Sequence, residues 1–285
     1  MADCQTLADC IHRACVWEAT AIKAGNVHPH APLGAMQYTD FVRSAEVIAP
    51  ILANVETLGV GRAILEAVQA TQAAVRCNTN LGIILLMAPL AAVPTNISLP
   101  EGIGTVLNSL TVADTVLVYE AIRIAHPGGL GNAAEEDVNA APSLPLKAVM
   151  ALAADRDQIA REYATDFAWL VNHAVPQWSR ESIVNACASE EAILSAVVSL
   201  QVWMLASQPD TLILRKSGPA TAAEAQRRAA AILAVGGVKT IEGRSLFLEL
   251  DQWMRQFPSQ RNPGTTADLI AATLFAWLRE QCFLT

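Results

Sequence analysis

Charge and aromatic rings are scarce in this chain. Of its 285 residues only 16% are Asp, Glu, Lys or Arg and 5% are aromatic, while 53% are hydrophobic, with alanine dominant. That balance argues against sheets rich in β-branched and aromatic residues and for closely packed helices. An excess of positive charge is also missing. The 19 Lys and Arg stand against 27 Asp and Glu, a net charge of -8, the wrong sign for binding a phosphate backbone, so nucleic acid is excluded as a partner. The six cysteines, Cys4, Cys10, Cys15, Cys77, Cys187 and Cys282, lack the short CxxC spacings that grip zinc and are too sparse for a disulfide scaffold. They read as reduced, mostly buried thiols of a cytoplasmic protein. No signal-peptide pattern opens the chain. The most apolar run, LGIILLMAPLAAV at 81–93, is too short to cross a bilayer and contains Pro89, so it reads as a core helix and no membrane partner is expected.

Helical spacing recurs along the chain and strand alternation does not. Helices are expected at 5–24, 37–56, 59–77, 80–92, 102–126, 145–173, 181–206, 219–235, 243–257 and 265–282, the second opening at a cap from Thr39 or Asp40. No linker, repeat or low-complexity break appears, so one all-α domain over 1–285 is expected, a multi-helix globule with its site at polar helix junctions. The alanine-rich helix faces leave room for a homodimer.

Five polar segments interrupt the helices. KAGNVHPH (23–30) crowds a Lys, a Gly, an Asn and two His into eight residues. RCNTNLG (76–82) sets Asn78, Thr79 and Asn80 directly before the most apolar helix, where free amides and the helix dipole can receive a phosphate. HPGGLGN (126–132) is a Gly-rich turn followed by Glu135, Glu136 and Asp137, and DTLILRKSG (210–218) presents Arg215 and Lys216. RNPGTTADL (261–269) puts Arg261 and a Pro-Gly turn ahead of Thr265, Thr266 and Asp268. Each has a purely structural reading. Asn78 to Asn80 are ordinary N-cap residues, Thr265 and Asp268 have capping-box spacing, and GGLG stops helices and lacks the dinucleotide fingerprint. The histidines show no metal-ligand spacing. In DRD (155–157) the two carboxylates point in different directions on a helix, so at most one faces a ligand.

Taken in order, KAGNVHP, FVRSA (41–45), NTNLG, the Gly-rich turn, DTLILRKSG and NPGTTADL resemble the triphosphoribosyl-dephospho-coenzyme-A synthase family over nearly the whole chain. That family's pattern runs Lys-Pro-Gly-Leu/Asn-Val-Asp, Asn-Thr-His-Lys-Gly, Gly-Ala-Arg-Gly-Glu, Asp-Thr-Asn-Leu-Leu-x-Arg-Gly-Gly and Ser-Pro-Gly-Gly-Ser-Ala-Asp-Leu. This chain departs from it in having Ala24 for Pro, His28 for Asp, and Asn80 and Leu81 for His and Lys. The Arg between the glycines of the third stretch is missing, and after Arg215 only Gly218 remains of the two glycines.

The resemblance implies a transferase. A ribose hydroxyl of dephospho-coenzyme A attacks the sugar carbon of ATP that bears adenine, and adenine leaves while the triphosphate stays on the transferred ribose. Such a displacement passes through an oxocarbenium-like state and needs a carboxylate to take a proton. The triphosphate calls for Lys or Arg and for Mg²⁺ held by one or two carboxylates. On that logic Asp137, Asp155 and Asp268 are the candidates for general base or Mg²⁺ ligand. Lys23, Gly25, Asn26, His28, Asn78, Thr79, Asn80, Gly128, Gly129, Arg215 and Arg261 are the candidates for nucleotide binding. His28, Asn80 and Leu81 leave two alternatives: a paralogue acting on another nucleotide or phosphorylated precursor, for example in assembling a methanopterin- or methanofuran-type one-carbon cofactor, and a non-catalytic nucleotide-binding or scaffold protein.

Overall fold

The apolar run that reads as a core helix becomes the innermost one. The computed structural model describes residues 4–129, 131, 135–184 and 189–284, so Cys187 lies outside the described residues. The first half holds α1 (Leu7–Thr20), α2 (Tyr38–Ala53), α3 (Val55–Leu58), α4 (Val60–Val75), α5 (Leu81–Ala91), α6 (Leu99–Ser109) and α7 (Val112–Ala125). The second holds α8 (Leu146–Ala153), α9 (Gln158–Ala164), α10 (Val175–Val184), α11 (Glu190–Ser207), α12 (Thr211–Ala234), α13 (Ile241–Arg255), α14 (Pro258–Arg261) and α15 (Gly264–Phe283). A π-helical turn, Leu170–Ala174, leads into α10. Among the described residues there is no strand, only isolated bridges at His28–Ala31 and Leu33–Met36. The all-α expectation holds.

All of α5 is buried, with α2, α4, α6, α9 and α15 packed around it. Because LGIILLMAPLA carries no polar side chain, it loses nothing by being surrounded, whereas α1, α2 and α4 are two-faced and each buries one stripe. The main apolar cluster gathers α5 with stripes from α1, α2, α4, α7 and α15. A second, smaller one joins α11, α12 and α13 through Val202, Leu205, Ala225, Ile232, Leu250 and Met254, and takes in Ala24. Helix α11 is the one described helix long and apolar enough to cross a membrane by length and composition, with 39% of it buried. It packs on α12, α10, α15 and α1.

Several boundaries differ from expectation, each for a local reason. Helix α2 starts one residue before the expected caps, with Gln37 as N-cap and Asp40 accepting its amide at 2.7 Å. The expected 102–126 helix is two, bent by 95°, because Thr111 and Asp114 form a capping box that starts α7 afresh. The expected 145–173 helix breaks at DRD, where Asp157 caps α9 by accepting the amides of Ile159 and Ala160 at 2.9 and 3.1 Å. The stretch 210–218, expected as a loop, is the start of α12, capped by Asp210 and kinked at Gly218, whose φ of 81° suits glycine.

One buried cation ties the α5–α6 connection to α15. Arg279, fully buried, donates from Nη2 to the carbonyls of Val93 at 3.0 Å, Pro94 at 2.6 Å and Ile97 at 3.0 Å, and from Nη1 to Glu280 Oε1 at 3.0 Å. Arg279→Leu should cost about 3 kcal/mol or more, since three carbonyls lose their donor at once. Urea denaturation measures this, and an unchanged midpoint would show that the carbonyls find other partners.

Candidate active site

A cavity of about 460 Å³ opens where the starts of α5, α9, α12 and α15 converge, a size suited to a small molecule. The 26–36 loop, α1 and the connector between α7 and α8 complete its walls. Helix starts bring amides without an i−4 carbonyl, so polar groups concentrate at this end of an otherwise apolar interior.

The 76–82 segment supplies one wall. Asn78 accepts the Leu81 amide at 3.1 Å and starts α5. Thr79 hydrogen-bonds Ser44 at 2.6 Å. Asn80, 5% exposed, has an amide Nδ2 with no partner, and all three line the cavity. Their capping reading therefore explains Asn78 and leaves Asn80 unaccounted for. Leu81 is buried, a place where a Lys would need a partner.

Acidic groups form the floor. Asp268 is half-buried, and its carboxyl is pushed well above the usual range by burial and by the nearby charges of Glu18, Asp210 and Asp157, against which Arg215 acts alone. It lies so close to α5 that a Cβ on Gly82 would sit 2.0 Å from its Oδ2. The capping box expected at Thr265 and Asp268 does not form. Pro263 is the N-cap of α15, and Thr265 accepts from the hydroxyl of Thr211 at 3.2 Å. Asp210 lies behind the floor and joins α12 to α15 by accepting Thr266 N and Oγ1, each at 2.7 Å.

Cations line the facing side. Arg215 pairs through Nη1 with Asp157 Oδ2, and its buried Nε has no partner. Lys216 also lines the cavity, and burial and then Arg215 lower its pKa. Gly128 borders the cavity beside Lys216, while Gly129, at φ +77°, packs on the Cβ of Arg215 behind it. Asp137 reaches the rim and accepts the amide and side chain of Asn139 at 2.9 and 3.0 Å. The far end is apolar, built by Leu33, Met36, Phe41, Val118, Ile122 and Met150.

Five candidates are placed elsewhere. Lys23 is fully buried, with Nζ 2.9 Å from Glu18 Oε1 and bonded to the carbonyls of Glu18 and Ala21; it reaches no cavity and instead holds the Glu18 carboxylate that does. Gly25 donates to Asp251 at 2.8 Å and faces Met254. His28 folds over its own loop, Nδ1 accepting the His30 amide at 3.3 Å. Burial and then Arg255 depress its pKa to about 4. Asp155 is exposed, because the turn that makes Asp157 a cap directs its neighbour outward. Arg261 stacks 4.2 Å over Trp253 and 4.4 Å over Phe257. Asn26, by contrast, lines the cavity, its Oδ1 held by Gln201 at 2.9 Å. Gln201 also brackets Ala24, accepting its N–H and donating to its carbonyl, both at 2.8 Å. That amide is one a proline could not offer.

Glu18, Asp157, Lys216 and Asn262 line the cavity but are missing from the expected set. Asp157, Lys216 and Asn262 sit inside the quoted motifs, Asp157 two residues from the chosen Asp155 and the others next to the chosen Arg215 and Arg261. Nothing local marks Glu18, an acid in a two-faced helix.

Comparison with known proteins bears on the family and the fold. The CitG family, described as ATP:dephospho-CoA triphosphoribosyl transferase, matches residues 4–284. A Pseudomonas putida protein named as a probable 2-(5''-triphosphoribosyl)-3'-dephosphocoenzyme-A synthase is 38% identical over 117 residues, 41% of this chain and 39% of that protein. A Klebsiella pneumoniae protein named as the same synthase is 33% identical over 117 residues, again 41% of this chain and 39% of that one. The chain thus spans about two fifths of the length of the curated relatives it matches. A crystal structure of an Archaeoglobus fulgidus protein, named for triphosphoribosyl-dephospho-coA synthase, shares the fold with a TM-score of 0.62 at 24% identity, covering 83% of this chain and 97% of that one. With a family match that runs almost end to end, the chain belongs to the ATP:dephospho-CoA triphosphoribosyl transferase family.

Proposed function

We propose that the protein transfers the triphosphoribosyl group of ATP to a ribose hydroxyl of dephospho-coenzyme A. The observation that carries this reading is the pairing, in one cavity, of a half-buried carboxyl with raised proton affinity, Asp268, and two cations, Arg215 and Lys216, one of them with an unpartnered buried nitrogen. In the reaction the acceptor oxygen bonds to the ribose carbon, the bond from that carbon to adenine breaks with its electron pair going to the adenine nitrogen, the hydroxyl proton passes to Asp268, and adenine takes up a proton from solvent as it leaves. A carboxylate whose proton affinity is raised by its surroundings suits that step once it is ionised. Arg215, Lys216 and the first-turn amides of α5 hold the triphosphate, and the apolar end receives adenine or the acceptor's arm.

The donor set fits Mg²⁺. Asp268 stands among the negative charges of Glu18, Asp210 and Asp157 with Arg215 opposing them, and a hard cation needs only one or two carboxylates when phosphates supply further oxygens. Bound there or at Asp137, Mg²⁺ would neutralise phosphate charge. Asp155 is too exposed and remote from the cavity for this role.

The test is release of free adenine from ATP, Mg²⁺ and dephospho-coenzyme A, followed by chromatography. Arg215→Ala should raise KM for ATP about 10–100-fold, the value of a charged hydrogen bond or two, while Arg261→Ala stays within about twofold. Equal effects of the two would remove Arg215 from the site. A second reading, transfer from another nucleotide, is favoured by Asn80, whose free amide stands where the family pattern has a His. Adenine release absent with ATP, with a different base released from another nucleoside triphosphate, would select it.

A further inference from the structure

Three thiols meet where α1 and α15 pack together, away from the cavity, and the transfer chemistry uses none of them. Cys4 precedes α1, Cys10 lies on it, and Cys282 lies in the last turn of α15. Their sulfur atoms all fall within 4.8 Å of one another, and Cys10 Sγ is 3.7 Å from Cys282 Sγ. None is in a disulfide. Cys10 is buried and the other two are half-buried.

A metal held by thiolates at about 2.3 Å sets its sulfurs about 3.8–4.0 Å apart, so Cys10 and Cys282 already stand at ligand spacing and Cys4 lies within 4.8 Å of both. Burial holds the Cys4 and Cys10 thiols up, while Arg13 acts the other way on Cys4 and Arg279 interacts electrostatically with Cys10; the two guanidinium groups can offset the negative charge that three thiolates leave around a single positive ion. Among the described residues no His, Asp or Glu joins the group as a fourth ligand, which disfavours the closed tetrahedral arrangement of structural zinc. All-sulfur ligation selects soft cations.

We propose that Cys4, Cys10 and Cys282 form a three-sulfur site for a thiophilic cation, with monovalent copper the best fit. On binding, three S–H bonds give their protons to solvent as three copper–sulfur bonds form, and no electron is transferred. The site pins the segment before α1 to the end of α15, so occupancy stabilises the fold as any ligand of the native state does.

The full-length, reduced chain is titrated anaerobically with copper(I) delivered from a chromophoric chelator. One equivalent per chain should be withdrawn, X-ray absorption should show three sulfur neighbours at about 2.3 Å, and thermal stability should rise. Cys4→Ser and Cys282→Ser, chosen because these positions are half-buried and tolerate the change better than Cys10, should each weaken binding at least tenfold. Cys77→Ser should bind as the parent does. No competition with the chelator, or binding unchanged in both serine variants, would each overturn the proposal.

Discussion

Asp268→Asn is expected to lower adenine release by about 10²–10⁴-fold, the usual contribution of a positioned proton acceptor, while leaving the protein folded and more stable at neutral pH. The second half of that expectation follows from the carboxyl's surroundings. Burial and the neighbouring charges of Glu18, Asp210 and Asp157 raise its pKa well above 3.8. Between the unfolded and folded values the native protein therefore holds a proton that the unfolded chain has released. Stability contributed by the neutral carboxyl is fully present below the unfolded pKa and is lost as pH rises through the folded one. An amide cannot ionise, so the variant should not show that loss. Denaturant melts of both proteins from pH 4 upward, beside initial rates, measure the pair of effects. A variant with parental activity would exclude Asp268 from proton transfer, and parallel stability profiles would show that its carboxyl is not under strain.

Lys23→Ala should cost about 3–5 kcal/mol, since it strands the Glu18 carboxylate in the interior. Both side chains of that pair are nearly inaccessible, at 0% and 5%, and Lys23 Nζ also serves carbonyls of Glu18 and Ala21 at the end of α1, where a positive charge is favourable. Removing both charges, as in Lys23→Met with Glu18→Gln, should recover most of the loss, because an apolar and neutral replacement of a buried pair is often close to neutral. The four-protein cycle by urea denaturation gives the coupling directly. If Lys23→Ala melted like the parent and lost only ATP affinity, Lys23 would be a phosphate ligand after all.

That contrast shows what a sequence can and cannot display. Composition and apolar spacing reveal the helices because each must bury a stripe or, for α5, its whole surface. The segments that line the cavity are readable because Asn, Gly and Asp cluster at helix starts for the same reasons that make such starts receptive to ligands. Which member of a cluster faces inward is decided by turn geometry. Asp157 rather than Asp155 turns toward Arg215 because it is the cap of α9. Lys23 and Arg261 carry charges that suggest phosphate, yet one is consumed by Glu18 and the other by two aromatic rings. His28, which replaces the family's Asp, is occupied with its own loop. Glu18 and the three-thiol cluster are invisible to any local pattern, since they depend on α1 meeting α15.

The meeting of α1 and α15 also bears on how the site comes and goes. Glu18 and Asp268 face one cavity from opposite halves of the chain, so their encounter closes a very long loop and cannot precede the overall collapse. A fragment that lacks either α1 or α15 cannot bring the two carboxylates together, and the site should appear and vanish with the cooperative transition of the whole molecule. Amide protons around Asp268 should accordingly exchange with solvent only through global opening, whereas those of the 131 and 135–140 rim, which lie in no helix, should exchange through small local fluctuations. The floor of the cavity and its entrance would then belong to different stability classes of the same protein.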